Sequence, residues 1–215
     1  MPKARKAKDP PWSAVRGVKR VVSEYAALAA AIADGESSLC DLSLVDERDA
    51  CVWRLRMRDF DTSTRGGAAL NADLRELVAR YASSDPSVTD AVTLEVRFPY
   101  AAYPNEPPFV RVVSPRARWY TGHVTAGGSV CVEVLAPHAW RPETSVASVL
   151  ETLKHAFVSV EPVVIKTRFG PGGVSGPLRV DLERKHCSSP IAEYSEREAR
   201  AAFERSLDHH ARNGW

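Results

Sequence analysis

Three prolines in five residues, Pro104, Pro107 and Pro108, stand between two apolar runs. Proline locks φ near about −65° and donates no backbone hydrogen bond, so this segment suits neither a helix interior nor a central strand. It predicts a rigid corner, Tyr103-Pro104-Asn105-Glu106-Pro107-Pro108, joining two strands. The strand before it carries Val88, Val92, Leu94, Val96 and Phe98. The strand after it is Phe109-Val110-Arg111-Val112-Val113, stopped by Ser114-Pro115.

The flanking chain supplies the remaining elements. Val15, Val18, Val22, Tyr25, Ala29 and Ile32 recur at helical spacing, predicting an amphipathic helix over 13–33 that Asp34-Gly35 ends. Alternation over 39–45 and 51–58, with Cys51, Trp53, Leu55 and Met57 on one side, predicts an antiparallel hairpin with one wet face. Its turn is Asp46-Glu47-Arg48-Asp49. A polar, glycine-containing loop is expected over 59–67 and a short helix over 71–82. Past the corner, Val146, Val149, Leu150, Leu153 and Phe157 predict a helix over 144–160, closed by Glu161-Pro162. A strand over 163–169, a turn at Gly170-Pro171-Gly172-Gly173 and a last helix follow. Ser195 with Glu198 three residues on is a capping box that opens this last helix. Strands grouped between helices make the class α+β, with a four-stranded antiparallel meander sheet flanked by helices and a C-terminal strand and helix added.

The expected organisation is a basic disordered tail over 1–12, holding Lys3, Arg5, Lys6 and Lys8, and one domain over 13–215. Within it lie the first helix (13–34), a central core (39–160) and an extension (161–215). Net charge is +2, which disfavours a nucleic-acid partner despite the basic start. No apolar stretch follows that start, so no signal peptide is expected, and no run is long enough to span a membrane. The four cysteines, Cys40, Cys51, Cys131 and Cys187, are irregularly spaced and form no C-x-x-C pair. They read as thiols in a reducing compartment, cytoplasmic or nuclear, with no metal site.

Cys131 stands apart. A glycine pair, Gly127-Gly128, precedes it, a short strand-like apolar run to Leu135 follows, and Trp140-Arg141-Pro142 lies beyond. A cysteine where a loop meets a strand can be held still and yet be reached. Together with the corner, this pattern resembles the ubiquitin-conjugating enzymes: a tyrosine-proline-x-x-proline-proline corner, a strand, a long loop, a glycine before the active cysteine, then tryptophan-x-proline opening a helix. Order and spacing match from Phe98 to Phe157. Most members carry histidine-proline-asparagine starting ten residues before the cysteine; here those positions hold Thr121-Gly122-His123. The chain is similar in this to the Q-type subgroup, in the string Pro107 to Pro115 and in its ending, His210-Ala211-Arg212-Asn213-Gly214-Trp215. Q-type enzymes usually have tyrosine where His123 stands, so that position departs even from the subgroup.

The resemblance implies the ubiquitin-conjugating fold and a thioester formed on Cys131. It implies no bound cofactor, ATP being used by the activating enzyme. It implies docking of that enzyme on the first helix, with Arg16, Lys19 and Arg20 as candidates, and of a ligase on Tyr100 to Pro104 and Trp140 to Pro142. Q-type members are associated with transfer to hydroxyl groups as well as lysine. A hydroxyl is a weak nucleophile that must lose its proton, so a base near the thioester would help, and His123 and His210 are the candidates, histidine being the residue type suited to that role at physiological pH. Backbone amides over 127–129 are candidates for the oxyanion. Trp215 is a candidate anchor, turned back onto the core or the catalytic groove by Asn213-Gly214. Each residue also has a plainer reading: His123 as a loop histidine, His210 at a helix end where its cation suits the dipole, Trp215 as packing. His186 beside Cys187 could mimic a dyad, but sequence neighbours rarely face each other. Two other functions compete: a non-catalytic binding module serving another conjugating enzyme, and a hydrolase using Cys131 and His210. Nothing like a protease nucleophile signature surrounds Cys131.

Overall fold

The structure is a computed structural model that describes residues 16–119, 121–160, 163–167 and 170–213. The expected tail over 1–12 lies outside them. Helix α1 spans Arg16–Ala33, followed by strands β1 (Cys40–Asp46) and β2 (Asp49–Met57). Helix α2 is Arg65–Tyr81; β3 and β4 are Val92–Arg97 and Phe109–Ser114. Helix α3 is Val146–Ser159, β5 and β6 are Val163–Thr167 and Gly170–Ser175, and α4 is Glu196–Asn213.

Strands β1 to β4 form one antiparallel meander in sequence order. Register places Trp53 opposite Val96, and Leu94 opposite both Leu55 and Val112. Because side chains alternate, Trp53, Leu55, Met57, Val92, Leu94, Val96, Val110 and Val112 share one face, all buried. They join Leu70, Leu74 and Leu77 of α2 and Val149, Leu150, Leu153 and Phe157 of α3 in one core. Val18, Val21 and Leu28 of α1 belong to the same cluster.

Several expectations are corrected. Helix α2 begins six residues early, because Thr64 caps it, its Oγ1 accepting from the Gly67 amide at 2.9 Å. Gly66 and Gly67 looked like loop residues, yet they lie in the first turn, where Cβ atoms would strike the Val158 and Asp61 carbonyl oxygens. Val88 falls outside β3. The expected turn at 170–173 is instead part of β6, which pairs antiparallel with β5. The expected strand end at 168–169 lies outside the described residues. The wet face expected of the hairpin holds along β1 and at Arg56 of β2, while Val52 on the same face of β2 is buried. On β3 and β4 the second face is also covered, and Glu95 and Arg111 are buried at 1% and 6% exposure.

What covers it is the extension. Tyr194 donates its amide to the Val113 carbonyl at 2.8 Å, and its own carbonyl accepts from Arg111 Nη1 at 2.6 Å. Glu95 pairs with Arg111 at 3.0 Å, Arg97 at 2.7 Å and Arg54 at 3.2 Å. Burial alone would raise the Glu95 carboxyl; the guanidinium bonds outweigh it and hold the group below its ordinary value. Arg97 and Arg54 reach on to Glu196 and Glu193, while Leu178, Val180, Leu182 and Tyr194 join the hydrophobic core, so the extension docks through charge and apolar burial together.

Candidate active site

The corner comes first, because it anchors the loop's far side. Tyr103 is buried and donates its hydroxyl to Glu24 Oε1 at 2.7 Å. The other oxygen of Glu24 accepts the Val146 amide at 2.7 Å. Trp140 is buried too, its indole donating to the Pro104 carbonyl at 2.7 Å. Arg20 donates to the carbonyls of Pro142 and Thr144 and pairs with Glu24. Thus α1, the corner and the entry to α3 are bolted together. Of the candidate docking cations, Lys19 is exposed, Arg20 is engaged internally, and the Arg16 side chain lies outside what is described. Tyr100 is exposed, at 42%.

The loop carrying Cys131 leans on β4. The Val112 amide donates to the Gly128 carbonyl at 2.8 Å and the Val130 amide to the Val110 carbonyl at 3.0 Å. The loop closes on itself: Val124 and Val130 bridge, the Thr125 amide donates to the Ser129 carbonyl at 2.9 Å, and the two hydroxyls lie 2.7 Å apart. At its end the Cys131 amide donates to the His123 carbonyl at 2.9 Å. After the cysteine, the expected strand-like run is instead a 3₁₀ turn, Glu133–Leu135. There the Leu135 amide returns to Val132 and the Ala136 amide to Glu133 rather than to a neighbouring strand.

Cys131 is half-buried, and burial pushes its thiol up from the ordinary value. The fold places the thiol without activating it. His123 is exposed and has a left-handed φ of 59°, a conformation that histidine and asparagine adopt more readily than most residues. Its link to Cys131 runs through the backbone. The Gly128 amide, a candidate oxyanion donor, is already bonded to the Thr125 carbonyl at 2.9 Å, and Gly127, Gly128 and Ser129 are all buried. The glycine pair therefore serves close packing: a Cβ on Gly127 would overlap the Glu198 carbonyl, and one on Gly128 would sit 2.5 Å from Tyr194 Cγ. His210 lies in the last turn of α4, its side chain outside what is described, and Trp215 lies outside the described residues altogether. His186 stacks on Trp119, ring centroids 4.9 Å apart, while Cys187 Sγ approaches the Asp181 carbonyl. Among the described residues no group of acidic, histidine or cysteine side chains converges to hold a metal ion, and no helix is long and apolar enough to cross a membrane.

Sequence reasoning missed Tyr194. It is 2% exposed, and its hydroxyl accepts the Ala117 amide at 3.0 Å. Its place directly before the Ser195–Glu198 capping box was the available signal, since an apolar residue there often fixes the entry to a helix.

Residues 89–163 match the family described as ubiquitin-conjugating enzyme. A human protein named ubiquitin-conjugating enzyme E2 Q-like protein 1 is 31% identical over 177 residues, 82% of this chain and 84% of that protein. The longer human ubiquitin-conjugating enzyme E2 Q1 is 28% identical over 163 residues; the match covers 76% of this chain and 31% of that protein. Among solved structures, a ubiquitin-conjugating enzyme from Plasmodium falciparum aligns at a TM-score of 0.47 and 14% identity, covering 75% of this chain and 96% of the other.

Proposed function

Since the chain belongs to the Q-type branch of the ubiquitin-conjugating enzymes, we propose that Cys131 takes the C-terminus of ubiquitin as a thioester from an activating enzyme and passes it to a substrate amine or hydroxyl. The observation that carries this reading is a half-exposed thiol at the end of a loop whose backbone is bonded from 121 to 131.

In the first step the Cys131 thiolate attacks the carbonyl carbon of the incoming thioester. A new C–S bond forms, the bond to the activating enzyme's sulfur breaks, and that sulfur leaves as thiolate. Exchange of one thioester for another is nearly isoenergetic, so positioning counts for more than a strong base. This suits a site that holds the thiol still but leaves it mostly protonated. In the second step the acceptor's nitrogen or oxygen attacks the same carbon, its proton goes to a base, and Cys131 leaves as thiolate. His123, neighbour to Cys131 through the backbone, and His210 on α4 are the proposed bases. Trp215 is the proposed anchor of the chain end. Lys19 on α1 is the proposed contact for the activating enzyme, and the exposed Tyr100 with Arg141 for a ligase.

The test is to mix the protein with activating enzyme, ATP and ubiquitin and compare gels with and without thiol. An adduct that thiol removes and Cys131→Ala abolishes is expected. No adduct, where a control conjugating enzyme is charged, would instead make the protein a binding module that keeps the fold.

A further inference from the structure

The extension touches the Cys131 loop at both shoulders. At the upstream shoulder, the Gly122 amide donates to the Gly176 carbonyl at 2.7 Å, and a Cβ on Gly122 would lie 2.5 Å from Leu178 Cβ. The segment leading in is paired with the same stretch: Arg118 donates to Arg179, Asp181 to Arg116, and Arg116 to Pro190, at 2.8–2.9 Å. At the downstream shoulder, Gly128 lies against the Tyr194 ring, and Gly127 against the Glu198 carbonyl and the Ala202 methyl. Three glycines in one short loop thus mark three places where the extension comes closer than a side chain permits.

The extension is itself fastened to the rest of the fold. Arg179 grips the buried Asp73 of α2 with two bonds of 2.7 and 2.8 Å, and the Leu178 amide bonds the Phe157 carbonyl of α3 at 2.7 Å. Arg116 lies over the Tyr194 ring, 4.2 Å from its centroid, and bonds Glu198 at 3.0 Å. The loop therefore rests on a support tied independently to both helices.

We propose that residues 176–194 and the first turns of α4 form a brace that holds the Cys131 loop in attacking geometry, with Leu178 and Tyr194 as positioning residues. They act through Gly122, Gly127 and Gly128 and touch no reacting atom. The inference deepens the thioester reading and rests on it for its meaning in catalysis.

Alkylation of Cys131 by iodoacetamide, followed by mass spectrometry on the Cys131 peptide, tests the brace without ubiquitin. Gly127→Ala drives a methyl group into Glu198 and Ala202. Its alkylation at pH 7.5 is expected to quicken about threefold or more, with the pH midpoint falling toward the ~8.5 of a free thiol. Gly67→Ala, whose added methyl meets the Asp61 carbonyl and the Thr64 hydroxyl rather than the loop or the extension, is the control: it lowers the melting temperature and leaves the Cys131 profile where it was. Should Gly127→Ala fail to fold, Ala202→Gly removes the methyl on which Gly127 rests, and a smaller rise in the same direction is expected. A parental rate and midpoint in the folded variant overturn the proposal. In single-turnover charging, the loosened variants should lose kcat for thioester formation without a change in KM for the loaded activating enzyme; loss confined to KM overturns it too. If the alkylation profile shifts while the parent forms no thioester, the brace stands and the conjugation reading fails.

Discussion

At the residue scale the questions gather at positions 131 and 123. Burial raises the Cys131 thiol, so at neutral pH less of it is thiolate than in a free cysteine. The sign follows directly: reactivity should keep climbing past pH ~8.5, where an unperturbed thiol is already half ionised. A rate–pH profile of Cys131 alkylation that levels off at or below that pH would contradict it. At position 123 the left-handed backbone and the imidazole need separate tests. His123→Asn keeps a residue that tolerates this conformation and removes the base; charging should survive while discharge onto a hydroxyl acceptor slows by about tenfold to a hundredfold. His210→Ala should slow the same step, and discharge at the parental rate in both variants would remove the histidines from the mechanism. His123→Val, stiff at Cβ and poorly suited to positive φ, should in addition cost about 1–3 kcal/mol of stability, read by urea unfolding.

At the scale of elements, the telling pair is Arg116 and Glu198. Burial works to raise the Glu198 carboxyl, but hydrogen bonds from Arg116 and Ser195 win and hold it at about 2. The folded value is depressed below the ~4.3 of an unfolded chain. Its contribution is therefore complete above that value and lost as the pH falls toward 2. Between about pH 4.5 and about pH 2.5 the melting temperature should fall further for the parent than for Glu198→Gln, and amide exchange in α4 should quicken first. Equal slopes for the two proteins would show that α4 is not held through this carboxylate. Glu198 also closes the capping box, accepting the Ser195 amide at 2.8 Å. One side chain thus starts the helix and docks it.

At the scale of the whole molecule, helices α1 to α3, the sheet and the extension's Leu178, Val180, Leu182 and Tyr194 share one core, and the extension also closes the sheet's other face over a buried ion cluster. Leu150→Ala, at a fully buried position on α3, should cost about 2–5 kcal/mol in urea unfolding, from lost transfer energy and a residual cavity. Glu95→Ala should cost about 3–5 kcal/mol, because it strands the buried Arg111 guanidinium. A cost below about 1 kcal/mol would mean that water reaches Arg111 from the α4 side. Both predictions treat the molecule as one cooperative unit.

The linear pattern alone determined the succession of four strands, the core faces of β2 and β3, the placing of α3 and the capping box of α4. Those features rest on interactions within a few residues or on the alternation of a single strand, which a linear pattern records. The corner and Cys131 were legible as motifs for the same reason. Only the tertiary structure decided that Gly66 and Gly67 lie in a helix, that 170–173 is strand, and that the run after Cys131 turns as a 3₁₀ helix. It alone decided that the sheet is buried on both faces at β3 and β4 and that Gly127 and Gly128 are places of contact rather than of freedom. For three of the glycines the deciding partner lies far along the chain: Val158 for Gly66, Glu198 for Gly127, Tyr194 for Gly128. A glycine reads the same in sequence whether it loosens a loop or makes room for a neighbour, and only packing distinguishes the two.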